Sequence, residues 1–206
     1  MKTIHILIAD DHAVVRRGLR SILQIEKDFQ IVGEAANGIE AVEMARRLKP
    51  HVVIMDLIMP EKSGNEATAE ILAELPQTRI LLLTTFGTAD DVAKALEAGA
   101  TGALMKTSDE SEIIASIRTV AAGGRAVSDE IKRLMAENPP APDLTPRQLE
   151  ILNSMSRGYS NAEIAEVFGI NEFTVREHVA NIMAKLDASN RAEAVATALR
   201  KSLLNF

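Results

Sequence analysis

Short apolar runs alternate with amphipathic stretches five times in the first 124 residues of this 206-residue chain. The apolar runs occupy 4–9, 30–35, 51–56, 79–84 and 102–105. Each is followed by apolar residues at the three- and four-residue spacing of one helix face. Strands that alternate with helices in this way pair in parallel through right-handed crossovers. The pattern therefore predicts an α/β domain with a five-stranded, doubly wound parallel sheet.

Carboxylates follow two of these predicted strands. Asp10 and Asp11 come directly after the first run, and Asp56 ends the third run, inside the apolar sequence 54–60. The carboxyl ends of parallel strands meet at one edge of a sheet, where such folds bind their ligands. Several like charges in one cleft repel unless a cation lies among them, and oxygen ligands favour Mg²⁺. We therefore predict a magnesium site that positions a phosphoryl group.

Two further polar residues fall at the same predicted edge. Thr84 ends the fourth run and Lys106 follows the fifth, and both side chains can donate to phosphoryl oxygens. Thr85 is an alternative to Thr84, because strand alternation sends only one of the two hydroxyls to the site; the spacing to Lys106 favours Thr84. Taken singly, each residue has an ordinary structural explanation, such as a helix cap for Asp10 and Asp11. Their joint occurrence favours function.

The composition restricts the chemistry and the compartment. Cysteine is absent, which excludes disulfides and thiolate metal ligands and is compatible with a reducing cytoplasm. The longest apolar runs fall short of the roughly 20 residues of a membrane span. The N-terminus leads directly into a predicted strand without a signal-peptide pattern. We therefore expect a cytoplasmic protein that does not enter a membrane.

A proline-rich segment separates the α/β pattern from a helical C-terminal part. Three of the four residues 139–142 are proline, which favours extended backbone and interrupts helices. We predict a first domain over 1–124, a linker over 125–143 that includes a weak helical segment, and a second domain over 144–206. The second domain contains no strand pattern.

Capping signals divide the second domain into helices. Thr145 with Gln148, and Ser160 with Glu163, have the spacing of a capping box. Gly169 ends the helix that Ser160 begins, and the next helix runs from 172 to about 186. A last helix covers about 191–204. Two helices joined by a tight turn predict a small all-α domain with a helix-turn-helix.

These motifs resemble those of a known family. Residues 1–124 are similar to a response-regulator receiver domain, which has a flavodoxin-like fold, and 144–206 resemble a LuxR-type helix-turn-helix domain. Together they look like a NarL/FixJ-type two-component response regulator. The resemblance implies that Asp56 accepts a phosphoryl group from a histidine kinase, and that Lys106 and Thr84 bind the phosphoryl oxygens. It also implies a set of Mg²⁺ ligands, with Asp10 acting through water: Asp10, Asp11, Asp56 and the backbone carbonyl of Ile58.

The helix 172–186 resembles the recognition helix of such a domain, and its outward residues would contact double-stranded DNA. Three of its residues, Arg176, Glu177 and Ala180, would face the groove, and three others, Thr174, Asn181 and Lys185, would contact phosphates. Arg176 and Glu177 would reach base edges. The net charge of −6, with no basic half, weakens this interpretation, so we predict modest affinity per subunit and a homodimer on DNA. The last helix is the predicted dimer contact, and the methionines and phenylalanines are interpreted as core.

Two other functions compete with this interpretation. A haloacid-dehalogenase-like phosphatase requires an aspartate two residues after its nucleophile, where Ile58 stands, and no glycine-rich nucleotide loop follows the first strand. We therefore do not expect an enzyme. An interaction module that docks a protein is the second alternative, and it predicts no salt-dependent DNA binding. The sequence favours a phosphorylation-controlled, DNA-binding transcriptional regulator.

Overall fold

The chain has two compact units, Met1–Pro140 and Ala141–Phe206. The computed structural model describes residues 3–85, 89–137, 144–201 and 203–204. The prolines at 139–142, which carry the predicted linker, lie outside these ranges. Among the helices of the described ranges, none combines the length and the apolar character that crossing a membrane requires.

The first unit is built around one parallel sheet. Its described strands are β1 Ile4–Ala9, β2 Phe29–Ala35, β3 Val52–Met55, β4 Arg79–Thr84, β5 Gly102–Met105 and β6 Ala126–Val127. Their order across the sheet is β2-β1-β3-β4-β5-β6. The helices between and after them are α1 Ala13–Leu23, α2 Gly38–Leu48, α3 Gly64–Glu74, α4 Ala89–Glu97, α5 Glu110–Ala121 and α6 Asp129–Glu137.

Helices cover both faces of this sheet. Leu7 and Val53 belong to one buried cluster, together with residues of α2, α3, α4 and α6. Ile8 and Ile54 belong to a second cluster with residues of α1 and α5. Adjacent strand residues thus pack on opposite faces, and both faces are buried, so the strands appear in the sequence as continuous apolar runs. The predicted doubly wound α/β sheet is confirmed.

The C-terminal end of the first unit differs from the sequence prediction. The described sheet has six strands rather than five, because β6 pairs in parallel with β5. Ile131 of α6 is fully buried in the core beneath this edge. Residues 126–137, predicted as part of a linker, therefore belong to the first unit. A two-residue strand shows no periodicity, and α6 buries a single residue completely, so the segment resembles exposed chain in the sequence.

The described part of the second unit contains α7 Pro146–Ser156, α8 Asn161–Phe168, α9 Glu172–Lys185 and α10 Arg191–Arg200. The capping boxes predicted at Thr145 and Ser160 are both formed. Gly169 ends α8 with φ +62°, a left-handed conformation that glycine adopts without steric cost, and a tight turn leads into α9. The helix-turn-helix is confirmed. The last helix ends at Arg200, a few residues before the predicted limit at 204.

Candidate functional site

The polar residues at the carboxyl edge of the sheet are held by backbone hydrogen bonds that continue the strand ladders. Asp56 donates its N–H to the carbonyl of Ala9 at 2.8 Å. Lys106 donates its N–H to the carbonyl of Thr84 at 2.7 Å. Because β1, β3, β4 and β5 are consecutive in the sheet, the residues at their carboxyl ends are neighbours. The sheet topology therefore assembles these residues into one site.

Lys106 bridges two buried carboxylates. Its Nζ lies 2.6 Å from Oδ2 of Asp10 and 2.7 Å from Oδ2 of Asp56. Asp10 is 2% exposed and Asp56 is 4% exposed. Burial raises the pKa of Asp56, although the hydrogen bond and charge of Lys106 act in the opposite direction. Burial also acts to lower the pKa of Lys106, but its bonds with Asp10 and Asp56 outweigh that effect and the pKa is raised.

The carboxylates form a group that can hold a divalent cation. Ligand atoms of Asp10, Asp11, His12 and Asp56 lie within 4.8 Å of one another. The Asp11 side chain is 32% exposed, so the group opens to solvent. Carboxylate oxygens are the ligands that Mg²⁺ uses, and the donor set fits it. For Ile58 the structure shows that the backbone N–H lies 3.4 Å from Oδ1 of Asp56. Its predicted use of the carbonyl as a ligand stays a prediction.

His12 is a member of this group that the sequence analysis missed. Its Nδ1 lies 2.5 Å from Oδ1 of Asp11, and its backbone N–H donates to Oδ1 of Asp10 at 2.8 Å. His12 therefore orients both neighbouring carboxylates. The signal was available in the sequence, because His12 follows the acidic pair directly.

Thr84 contributes a hydroxyl that has no hydrogen-bond partner among the described residues. Thr84 is 1% exposed, whereas the neighbouring Thr85 is exposed. A buried hydroxyl without a partner is costly, so a group that pairs with an incoming ligand explains its presence. The burial is compatible with the choice of Thr84 over Thr85, and its role at the site stays a prediction.

Gly64, at the start of α3, allows the loop after Asp56 to close tightly. A Cβ at this position would lie 2.0 Å from the carbonyl oxygen of Asp56. The N–H of Gly64 donates to the carbonyl of Leu57 at 2.9 Å. Ser63 forms a capping box with Glu66 and fixes the first turn of α3. The sequence analysis missed this contact, which depends on the close approach of two segments.

In the second unit, α9 has one buried and one exposed face. Val175, Val179 and Ile182 are buried in the core. Of the six residues predicted to face DNA, Thr174 is partly buried and the other five are exposed: Arg176, Glu177, Ala180, Asn181 and Lys185. Arg176 pairs with Glu172 at 2.7 Å. The Nζ of Lys185 donates to Oε1 of Gln148 at 3.0 Å.

Phe173, on the same helix, is 65% exposed. The expectation that the phenylalanines belong to the core is therefore wrong at this position. Phe173 precedes the buried Val175 by two residues, which places it on the opposite side of the helix. Phe168 packs against the core of the second unit instead.

The chain matches known proteins over nearly its whole length. The family model for the response regulator receiver domain matches residues 6–118, and the model for bacterial regulatory proteins of the luxR family matches 142–198. The response regulator protein VraR of Staphylococcus aureus is 38% identical over 207 residues, which cover 98% of this chain and 99% of VraR.

Solved structures show the same similarity. A LuxR-family two-component response regulator from Aurantimonas is 38% identical, with a TM-score of 0.62 over 66% of this chain and 97% of that chain. The response regulator ChrA of a heme-sensing two-component system is 33% identical, with a TM-score of 0.59 over 99% of this chain and 100% of ChrA. The response regulator in the RcsB–DNA complex shares the fold, with 23% identity and a TM-score of 0.68 over 97% of this chain and 99% of RcsB.

A parallel α/β domain with this acidic edge, followed by a LuxR-type helix-turn-helix, defines the class of two-component response regulators. The chain belongs to the LuxR family of these proteins. It is a DNA-binding transcriptional regulator with a receiver domain.

Proposed function

We propose that Asp56 accepts a phosphoryl group from a histidine kinase and that this modification controls DNA binding. The observation that carries the proposal is the pairing of Asp56 with Lys106 at 2.7 Å, at the sheet edge where Thr84 has a buried hydroxyl without a described partner. One nucleophilic carboxylate, one ammonium and one hydroxyl are the groups that an aspartyl phosphate needs.

In the transfer step, an Oδ atom of Asp56 attacks the phosphorus of a phosphohistidine. The new P–O bond forms as the P–N bond breaks, and the histidine nitrogen takes up a proton. Lys106 then pairs with a phosphoryl oxygen instead of the free carboxylate, and Thr84 donates its hydroxyl to another. The new dianionic group thus redirects two side chains at the ends of β4 and β5, which is a local charge change that can alter packing.

Mg²⁺ is the cation we propose for this site, held by Asp10, Asp11, Asp56 and the carbonyl of Ile58. When bound, the cation neutralises the charge that accumulates between the carboxylates and the phosphoryl oxygens. Without it, Lys106 is the described cation that compensates Asp10 and Asp56. His12 keeps Asp11 oriented toward the group.

For the output domain, we propose that α9 enters the major groove as the recognition helix. Arg176 would leave Glu172 to contact a base, and Glu177 would accept from cytosine. Thr174, Asn181 and Lys185 would contact phosphates. The residues 143–206 carry seven basic and eight acidic side chains, so each subunit has little excess positive charge. We therefore propose that the protein binds DNA in the cytoplasm as a homodimer, with α10 as the contact between the two subunits.

Phosphoryl transfer is tested with a small phosphodonor, such as acetyl phosphate, and Mg²⁺. We expect the intact wild-type chain to gain the mass of one phosphoryl group and Asp56→Asn to gain none. Asp129→Asn, an exposed control outside the site, should be labelled like the wild type. Equal labelling of Asp56→Asn, or no labelling of the wild type, would overturn the proposal.

DNA binding is tested by titrating the full-length chain onto double-stranded DNA at several salt concentrations. We expect affinity to fall as salt rises, because phosphate contacts release counterions. Arg176→Ala should weaken binding, whereas Arg125→Ala, which removes an exposed arginine from the first unit, should not. Binding that is absent at every salt concentration would favour a module that docks a protein.

A further inference from the structure

The exposed face of α9 carries a large apolar side chain near the start of the helix. Phe173 is the second residue of the helix and is 65% exposed. Its backbone N–H donates to Oδ1 of Asn171 at 2.8 Å, which caps the first turn of the helix. Residues in the first turns of a recognition helix are those that reach base edges. On the proposed recognition helix, Phe173 would therefore lie where base edges are read.

Helical geometry shows that the ring is not a displaced core residue. At 3.6 residues per turn, Phe173 lies within about 20° of Ala180 and Ala184, and roughly opposite Val175 and Ile182. Ala180 and Ala184 are exposed, whereas Val175 and Ile182 are fully buried. The buried stripe is complete without Phe173. An exposed phenyl ring in this position contributes little to the stability of the fold.

The polar side chains that flank Phe173, Ala180 and Ala184 offer few cations to DNA. Arg176 is paired with Glu172, and Glu177 adds a negative charge on the other side. Lys185 lies nearer the end of the helix and donates to Gln148. A helix face with an aromatic ring, exposed methyl groups and a carboxylate is suited to apolar contact with bases. It is less suited to tight attraction by the phosphate backbone.

We propose that Phe173 reads thymine, by packing its ring against the C5-methyl group in the major groove. Thymine is the base that presents a methyl group there, and Phe is among the side chains that contact it. The contact removes both apolar groups from water. This inference rests on the proposed entry of α9 into the major groove and adds a specificity-determining residue to it.

The test begins with binding sites that the full-length chain, treated with acetyl phosphate and Mg²⁺, selects from random DNA. Each thymine of a selected site is then replaced by deoxyuridine, which removes the methyl group alone. We expect one thymine per half-site at which this change weakens binding roughly fourfold, the value of burying one methylene-sized group. The dissociation constant is measured by fluorescence anisotropy.

Protein variants complete the test. In Phe173→Ala the deoxyuridine penalty at that thymine should disappear, and binding to the unmodified site should already be weakened. Val167→Ala is the matched control, because it shortens another exposed apolar side chain, on α8. It should keep the full penalty. Circular dichroism and urea unfolding establish that Phe173→Ala folds like the wild type, as an exposed position predicts.

The outcomes separate this inference from the function on which it rests. If the wild type selects no DNA and shows no salt-dependent binding, the proposed DNA-binding function fails and this inference fails with it. If the wild type binds specifically but no deoxyuridine substitution weakens it, the thymine contact is wrong and the proposed function stands. The same holds if Phe173→Ala keeps the full penalty, since the ring would then contact sugar, phosphate or another protein.

Discussion

At the scale of single residues, the receiver site contains buried negative charge that must be compensated by a neighbouring side chain or by a ligand. Asp10 and Asp56 are both nearly inaccessible, and Lys106 lies between them. Two carboxylates and one ammonium leave an excess negative charge in a buried place. This excess is the physical reason for the proposed divalent cation, and it predicts that the stability of the unmodified protein depends on pH.

Replacing Asp56 with Asn should make the protein more stable near neutral pH. Burial raises the folded pKa of Asp56 above its ordinary value of 3.8, so the folded state holds the proton more strongly than the unfolded state. The ionised Asp56 carboxylate therefore destabilises the folded wild type. This effect is absent below pH 3.8 and develops as pH rises through the folded pKa. Urea unfolding of both proteins across this range, without Mg²⁺, measures the difference. A difference in free energy of unfolding between the two proteins that does not change with pH would contradict a raised pKa of Asp56.

The Thr84 hydroxyl should likewise be costly for the unmodified protein. Thr84→Val removes a buried hydroxyl that has no described partner and keeps the shape of the side chain, so the free energy of unfolding should stay the same or rise by about 1 kcal/mol. The same variant should lose much of the increase in DNA affinity that a phosphodonor produces. Thr68→Val is the matched control, because Thr68 is buried in α3 and also lacks a described partner. It should keep the increase.

At the scale of elements, β6 and α6 complete the receiver. Ile131 is fully buried in the core and Met135 packs beside it, although the rest of α6 is largely exposed. We expect Ile131→Ala to lower the free energy of unfolding of the fragment 1–137 by about 3 kcal/mol, through lost burial and a residual cavity. Lys132→Ala, on the exposed side, should change it by less than about 0.5 kcal/mol. A fragment that ends at 124 with undiminished stability would show that these elements are dispensable.

The turn between α8 and α9 depends on backbone conformation alone. Gly169 has φ +62°, and an added Cβ there would meet no atom within 4 Å. Gly169→Ala should therefore destabilise the second unit by about 1 kcal/mol, the cost of a left-handed non-glycine residue. Gly18→Ala, inside α1 and equally free of neighbouring atoms, should instead stabilise the first unit. Thermal unfolding followed by circular dichroism measures both changes. If both substitutions stabilise or both destabilise their unit, the explanation by backbone conformation is wrong.

At the scale of the whole molecule, the two units must communicate if phosphorylation controls DNA binding. We expect acetyl phosphate with Mg²⁺ to raise the affinity of the wild type for a selected site on the order of tenfold, a typical coupling between sites. Asp56→Asn should bind with one affinity whether or not the donor is present. Fluorescence anisotropy measures both. An equal increase for Asp56→Asn would assign the effect to another site or to the donor itself.

Local patterns in the sequence were enough to predict much of the fold and to place Asp10, Asp56 and Lys106 at one edge of the sheet. The five apolar runs predicted five of the strands, and the capping boxes at Thr145 and Ser160 predicted two helix starts. Asp10, Asp56 and Lys106 were predicted to meet because parallel strands end at one edge. Each of these predictions depends on residues close together in the chain, or on one rule of sheet geometry.

Other features depend on contacts between distant residues, which no local pattern records. The pairing of β6 with β5, the bridge of Lys106 to both Asp10 and Asp56, and the closeness of Gly64 to Asp56 all arise from strand order and loop packing. The exposure of Phe173 depends on which face of α9 the other helices cover. The sequence by itself therefore determined most of the elements and the types of residue at their ends. Only the tertiary structure decided which charges pair and which surfaces stay open, because these depend on distances across the fold.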